Sequence, residues 1–360
     1  MATTFKNIGS GDVVAQRSLL NEAIPITGSI VSGTYIEGDT PTNVKNYSHG
    51  MFQSVYDYPY LSSSANHIFD LTVGYASDSN LSGTSDVVQQ SKKINLYTQM
   101  AQTLMGFDYT GSVQQFDEDG DLSAGGTKLK ECVFVNFARL LQKDEIKKGS
   151  FTLKLGASAS YGSSSATEFN SLITIQDTNA ATTFKVNSPT GEYGILYGTG
   201  STMADSTKVG LLYYQAGVAV LTGAIFQSYG VTGLGASGSM EMNARQEDFN
   251  AVLSGSAISG ACDNFRHRVY DLSFNNTTEL NSSVYFCRAN NNEFNYSSNT
   301  TYLTASKLRV KNNASDMPVS YITTVGLYSA DNELLAVAKL SEPLQKDPTT
   351  EFVLKVRLDY

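Results

Sequence analysis

Three aspartates at alternating positions, Asp117, Asp119 and Asp121, have the spacing of the first ligands of a calcium loop. That loop needs glycine where Leu122 stands and glutamate where Lys128 stands, so the expectation is an acidic turn and no metal is assigned. A second pattern, Gly233-Leu-Gly235-Ala-Ser-Gly238, follows an apolar run and precedes a helical one, as a dinucleotide fingerprint does. Such a unit requires another strand ending in an acidic residue some twenty positions on. The segment 258–266 is polar and without strand character, so a Gly/Ser connector is expected. His49, His67 and His267 are far apart, and no HExxH or Gly-x-Ser-x-Gly elbow occurs. No catalytic residue and no cofactor is assigned, and the chain is expected not to be an enzyme. What remains are contact residues. Tyr56, Tyr58 and Tyr60 put hydroxyl-bearing rings on one face of an extended segment, and Phe294 and Tyr296 punctuate an asparagine-rich stretch. Arg266, His267 and Arg268, with Asp263 and Asp271 nearby, form either an ion-pair node between molecules or a solvated helix end.

Composition narrows the class. The chain has 360 residues and a net charge of -9, which argues against direct nucleic-acid binding. Only 16% of residues are charged, below the roughly 25% of ordinary domains, and 21 tyrosines help fill the deficit. A surface poor in charge suits large permanent contacts, where unpaired ions are expensive to bury, so homo-oligomeric assembly is expected. The three cysteines, Cys132, Cys262 and Cys287, have no metal-like spacing and read as reduced, buried thiols of a cytosolic product. The N-terminus lacks the basic and apolar regions of a signal peptide, and no run is long enough to span a membrane.

Periodicity then supplies the elements. A helix is predicted over 91–104, capped by Ser91, striped by Ile94, Tyr97, Met100, Ala101 and Leu104, and stopped by Gly106. A short charged helix is expected over 143–148, and further helical segments over 242–253 and 258–268. Short apolar runs with turn residues every 8–12 positions predict strands over most of the rest, with a hairpin at Gly217. The class is mainly β (α+β), with antiparallel, sandwich-like modules and two or three helices. Four regions are expected: an extended arm over 1–48, an α+β domain over 49–156, a β meander over 157–229 and a C-terminal α+β module over 230–360. In that module, Tyr321, Thr323, Val325 and Leu327 should share a face. Leu335, Val337 and Lys339 should alternate on the next strand, and Phe352, Leu354, Val356 and Leu358 should give the last strand its apolar face.

Several segments are familiar. They include Tyr47-Ser-His-Gly-Met-Phe, Asp144-Glu-Ile-Lys-Lys-Gly-Ser-Phe, Asn187-Ser-Pro-Thr-Gly-Glu-Tyr-Gly-Ile-Leu-Tyr and Phe286-Cys-Arg-Ala-Asn-Asn-Asn-Glu-Phe-Asn-Tyr-Ser-Ser-Asn. To these belong Val55-Tyr-Asp-Tyr-Pro-Tyr-Leu-Ser-Ser-Ser-Ala-Asn-His-Ile-Phe-Asp and Val325-Gly-Leu-Tyr-Ser-Ala-Asp-Asn-Glu-Leu-Leu-Ala-Val-Ala-Lys-Leu. Together they resemble a virion structural protein of contractile-tailed marine phages, above all those of cyanobacteria. Related chains often have proline where Thr300 stands here. The resemblance implies a particle component assembled in the host cytoplasm alongside other virion proteins; it does not fix the location, and a tail or baseplate position is expected ahead of neck or capsid. The alternative is a receptor- or fibre-binding module.

Overall fold

The computed structural model describes residues 5–24, 43–83, 86–121, 126–141, 144–157, 171–200, 203–226, 249–266, 268–296, 303–304, 307–308, 313 and 315–360. The expected arm run 23–31, the Gly233–Gly238 motif and His267 lie largely or wholly outside them. The strands are β1 (Val13–Ile24), β2 (Val44–Asn46), β3 (Gln53–Tyr56), β4 (His67–Tyr75), β5 (Glu131–Asn136), β6 (Glu145–Ile146), β7 (Thr152–Ala157), β8 (Ser171–Gln176) and β9 (Lys185–Ser188). They continue as β10 (Gly191–Gly200), β11 (Met203–Tyr213), β12 (Val218–Thr222), β13 (Val269–Ala289), β14 (Leu303–Thr304), β15 (Lys307–Leu308), β16 (Ser320–Tyr328), β17 (Leu334–Lys346) and β18 (Phe352–Asp359). The helices are α1 (Gln90–Leu104), α2 (Ala180–Thr183), α3 (Phe249–Gly255) and α4 (Ile258–Arg266). The mainly β class holds, with 46% strand and 17% helix.

The chain divides into a larger unit, Leu20–Thr278, and a smaller one, Met1–Leu19 with Glu279–Tyr360. These are not the boundaries expected from sequence. The division at 156/157 falls inside β7, and β12 of the expected meander pairs with β5 of the expected preceding domain.

In the larger unit the strand order is β13-β7-β8-β10-β11-β12-β5-β4-β3-β2. Each of these neighbouring pairs is antiparallel. The centre of this sheet is buried on both faces. In β5, Val133 and Val135 enter one core while Cys132 and Phe134 enter the other. β12 is buried at all five positions, which is why its sequence is a continuous apolar run rather than an alternating one. The first core receives Val252 and Leu253 of α3, and Ile258 and Phe265 of α4, each worth roughly 1.5–3 kcal/mol when fully buried. The second receives Tyr97, Ala101 and Leu104 of α1 and is lined by aromatic pairs, among them Tyr193 stacked on Tyr213 at 4.9 Å.

α1 starts one residue earlier than expected, and Ser91 is not its cap. Gln89 precedes the helix in the left-handed region (φ 55) and its Oε1 accepts from the Ile258 amide at 3.0 Å. α1 has no side-chain cap, and the Gln89 side chain instead serves the first amide of α4. The predicted stop is seen, since Gly106 (φ +80) reverses the chain and its amide bonds Ala101 O. Gly74 on β4 permits the close approach of α1, because a Cβ there would lie 2.7 Å from Lys93 O. The expected helix over 143–148 is instead strand β6 followed by a turn at Gly149 (φ +76). Glu145 and Ile146 are buried against β13, and this pairing outweighs weak local helix propensity.

In the smaller unit β18 pairs antiparallel with β13, from Ser282↔Asp359 to Ala289↔Phe352. Val356 is buried, and Phe352, Leu354 and Leu358 are half-buried as expected. β16 and β17 form a separate two-stranded sheet, with register shifts between Ile322 and Thr324 and between Leu327 and Tyr328. The period-two alternation on β17 is present, but burial along the two strands differs from that expected. Tyr321 and Thr323 are exposed while Leu327 is buried, and on β17 Leu335 and Val337 point outward while Ala336 and Ala338 are half-buried.

Candidate functional site

The nearest approach to a catalytic constellation lies on β3 and β4. Ser54 and Asp70 face each other in the ladder, and His67 follows at the sheet end. Ser54 Oγ donates to Asp70 Oδ1 at 2.5 Å, and His67 Nε2 meets the same oxygen at 2.7 Å. Tyr47 OH lies 3.2 Å from Ser54 Oγ, and the Tyr56 ring stands edge-on to His67 at 5.4 Å. The order is wrong for nucleophilic catalysis. In an acyl-transfer triad histidine sits between serine and carboxylate and removes the serine proton. Here the carboxylate sits in the middle, so the serine proton points at Asp70 and no base is placed to take it. Burial raises the Asp70 carboxyl, but the hydrogen bonds from His67 and Ser54 outweigh it and hold the group below its usual range. The node ties β3 to β4 and leaves Asp70 an anion.

The tyrosine series is only partly the extended platform expected. β3 ends at Tyr56, and residues 57–66 form a loop closed at its base. Asp57 Oδ1 accepts from the Asn66 amide at 2.6 Å, Asp57 Oδ2 accepts from Asn66 Nδ2 at 2.8 Å, and the Asp57 amide returns to Asn66 O at 3.1 Å. Pro59 and Ser62 add a turn within it. Tyr56 is half-buried and 6.3 Å from the Tyr60 ring, whereas Tyr58 is 58% and Leu61 86% exposed. The loop therefore presents apolar side chains from a fixed base. Phe294 and Tyr296, in the smaller unit, are likewise exposed, at 46% and 59%.

The arginine cluster differs from both readings of it. Arg266 and Arg268 are buried within the larger unit, at 2% and 1% exposure, so neither is offered to a partner at the surface. Arg266 pairs with Asp263 at 3.0 Å, and the same Asp263 oxygen accepts from Gln53 Nε2 at 2.8 Å. The node is intramolecular and ties α4 to β3. Sequence reasoning missed this because the partner, Gln53, is 210 residues away.

Asp117, Asp119 and Asp121 do converge, with one carboxylate oxygen each within 4.8 Å. Their acceptor capacity is largely used locally. Asp117 Oδ1 takes the Asp119 amide at 3.0 Å, Asp119 Oδ1 takes the Asp121 amide at 3.3 Å, and the Lys128 ammonium meets Asp117 Oδ2 at 2.6 Å. Lys208 lies 3.7 Å from Asp119. Burial and its bond to Asp119 push Asp117 up, while that same bond holds Asp119 down. The arrangement is that of a neutralised acidic turn. The segment 258–266, where a dinucleotide unit would need its second strand, is helix α4.

Two buried groups that sequence did not single out matter more to the fold. Asp177, fully buried, accepts from the Gly149 amide (2.7 Å), the Phe151 amide (3.1 Å) and Tyr214 OH (3.1 Å). Lys93, also fully buried, donates to the carbonyls of Leu253 and Ser256 at the end of α3, the latter at 2.7 Å. Burial pushes its ammonium down to about 8.

The ionisations have opposing effects on stability. Burial raises the thiols of Cys132 and Cys262, so they stay protonated in the fold while the unfolded chain ionises them from about pH 9. Their contribution is lost as pH rises. Lys93 has the opposite sign, because above about pH 8 the unfolded chain holds a proton that the folded one has released. The raised thiols outnumber this one ammonium, so the net effect is a loss of stability as pH rises through 9 to 10. Past pH 10 the raised hydroxyls of Tyr97, Tyr213 and Tyr214 steepen the fall. Urea midpoints measured from pH 7 to 11 should decline in that pattern, and Lys93→Met should steepen the decline between pH 9 and 10. A midpoint that rises over that interval would refute the assignment. None of the chain's free thiols is activated, since Cys287 is raised as well.

No helix among the described residues is long and apolar enough to cross a membrane. No family model, curated protein or solved structure matches the chain.

Proposed function

We propose that this chain is a non-enzymatic structural subunit of a contractile-tailed phage particle, placed in the tail or baseplate and present in several copies. The reading starts from the resemblance of its quoted segments to such virion proteins. The observation that supports it most is how the polar groups are used. The carboxylates of Asp70, Asp117 and Asp177 are each bonded by donors of the same chain, in geometries that hold the fold together. Meanwhile the ordered apolar side chains Tyr58, Leu61, Phe294 and Tyr296 stand at the surface. Exposed aromatic groups on fixed backbone are the composition of interface anchors. Neck and capsid positions are the next locations in this reading.

A second reading, a receptor- or fibre-binding module, is favoured by the closed loop 57–66, whose clamped base would lower the ordering entropy of inserting Tyr58 and Leu61 into a partner. Antibody labelling of purified particles, followed by a map with the chain located, separates the readings. The expected result is several copies in the tail or baseplate. Label at fibre tips supports the second reading, and particles carrying no label would refute both.

A further inference from the structure

The β16–β17 hairpin of the smaller unit is a two-stranded sheet with no third strand among the described residues. Such a sheet is marginal in water unless something completes it. Its two edges are not equivalent. β17 carries Lys339, Glu342, Pro343 and Lys346, and the neighbouring edge strand β18 carries Lys355, Arg357 and Asp359. Charge and proline are the usual means by which an edge strand is kept from pairing. β16 has neither, and the whole stretch 317–330 contains no charged residue, bounded by Asp316 and Asp331. Its residues, Ser-Tyr-Ile-Thr-Thr-Val-Gly-Leu-Tyr, are rich in strand formers, with Tyr321 54% and Tyr328 46% exposed.

We propose that β16 pairs antiparallel with β16 of a second copy of this chain, joining two hairpins into one four-stranded sheet. The charge distribution selects this occupant. A chain of net charge -9 is repelled by its own copies, so contact between copies is least opposed where charge is absent, and of the two edges of this hairpin β16 is the one without it. An antiparallel strand paired with itself is related by a two-fold axis, so one sequence supplies both sides and the contact closes at two copies. The axis sets a residue opposite its own copy, and a register centred on Thr324 places Thr324 against Thr324 and Tyr321 against Leu327, twice; threonine pairs are among the stabilising cross-strand ones. Main-chain hydrogen bonds supply the affinity, as in other strand additions.

The inference rests on the reading that copies of this chain assemble together, but the two can fail separately. Sedimentation of the full-length protein should show a dimer. Thr324→Lys, which sets like charges opposite each other at the axis, should weaken the dimer roughly tenfold or more while the melt measured at concentrations where both proteins are monomeric stays unchanged. An equimolar mixture of Thr324→Lys and Thr324→Glu chains should restore it. Amide exchange of 320–328 in the unmodified protein, which needs no variant to fold, should slow as concentration rises through the transition. A monomer at all concentrations, an unweakened Thr324→Lys dimer, a mixture that stays monomeric or concentration-independent exchange would each overturn the pairing. Label found in particles together with any of these would leave the proposed function standing. A dimer with no label in particles would do the reverse.

Discussion

Replacing Asp177 with alanine should destabilise the larger unit by about 3–6 kcal/mol, a large part of the roughly 5–15 kcal/mol that holds a typical domain together. The effect comes from the donors left behind rather than from the lost carboxylate. The amides of Gly149 and Phe151 and the hydroxyl of Tyr214 all end on Asp177, in a site closed to solvent. Each buried donor without an acceptor costs about 1–3 kcal/mol, and the alanine cavity is too small to admit water to all three. Burial raises the Asp177 carboxyl although three donors pull it down, so desolvation dominates there. Asp177→Asn keeps one acceptor oxygen and should recover about half of the loss. Urea unfolding of both variants at neutral pH decides the matter, and a loss below about 1 kcal/mol for the alanine variant would show that the donors find other acceptors.

Removing residues 351–360 should have a comparable effect on the smaller unit. β18 is paired with β13 along eight positions, and its inward side chains are Phe352, Leu354, Val356 and Leu358. Only Val356 is fully buried, so the apolar contribution is roughly 4–6 kcal/mol rather than the sum for four core residues. Deletion would also expose the edge of β13 from Ser282 to Ala289 and remove the bond from Ser282 Oγ to Asp359. Limited proteolysis should then cut within 279–346 while the larger unit, with its own cores, stays resistant. A truncated chain with the original digestion pattern and melting curve would show that β18 is peripheral.

The two expectations differ in how far each was legible in the sequence. The alternation in 351–358 was visible, and the structure keeps those faces. The partner was not, because β18 lies against β13 rather than beside the preceding hairpin. Asp177 had no local signature at all, since its donors come from residues 26 to 37 positions away. The irregularity at Ile322/Thr324 shows the same limit at shorter range, since β17 passes from Leu344 to Lys339 while β16 advances only two positions, a shift with no mark in the alternating pattern. Arg266 and Arg268 looked like surface charges until burial and the Asp263–Gln53 contact placed them inside.

By itself the sequence determined that β class dominates, where α1 ends and where most strands and turns form, β6 being an exception. Those outcomes depend on side-chain period, on turn residues such as Gly106 and Gly217, and on steric preference over a few neighbours. The tertiary structure alone decided which strand pairs with which, which charges are buried and why Asp70 stands between Ser54 and His67. Pairing and burial are set by competition among surfaces far apart in the chain, where a core or a ladder outweighs local propensities of a few tenths of a kcal/mol per residue.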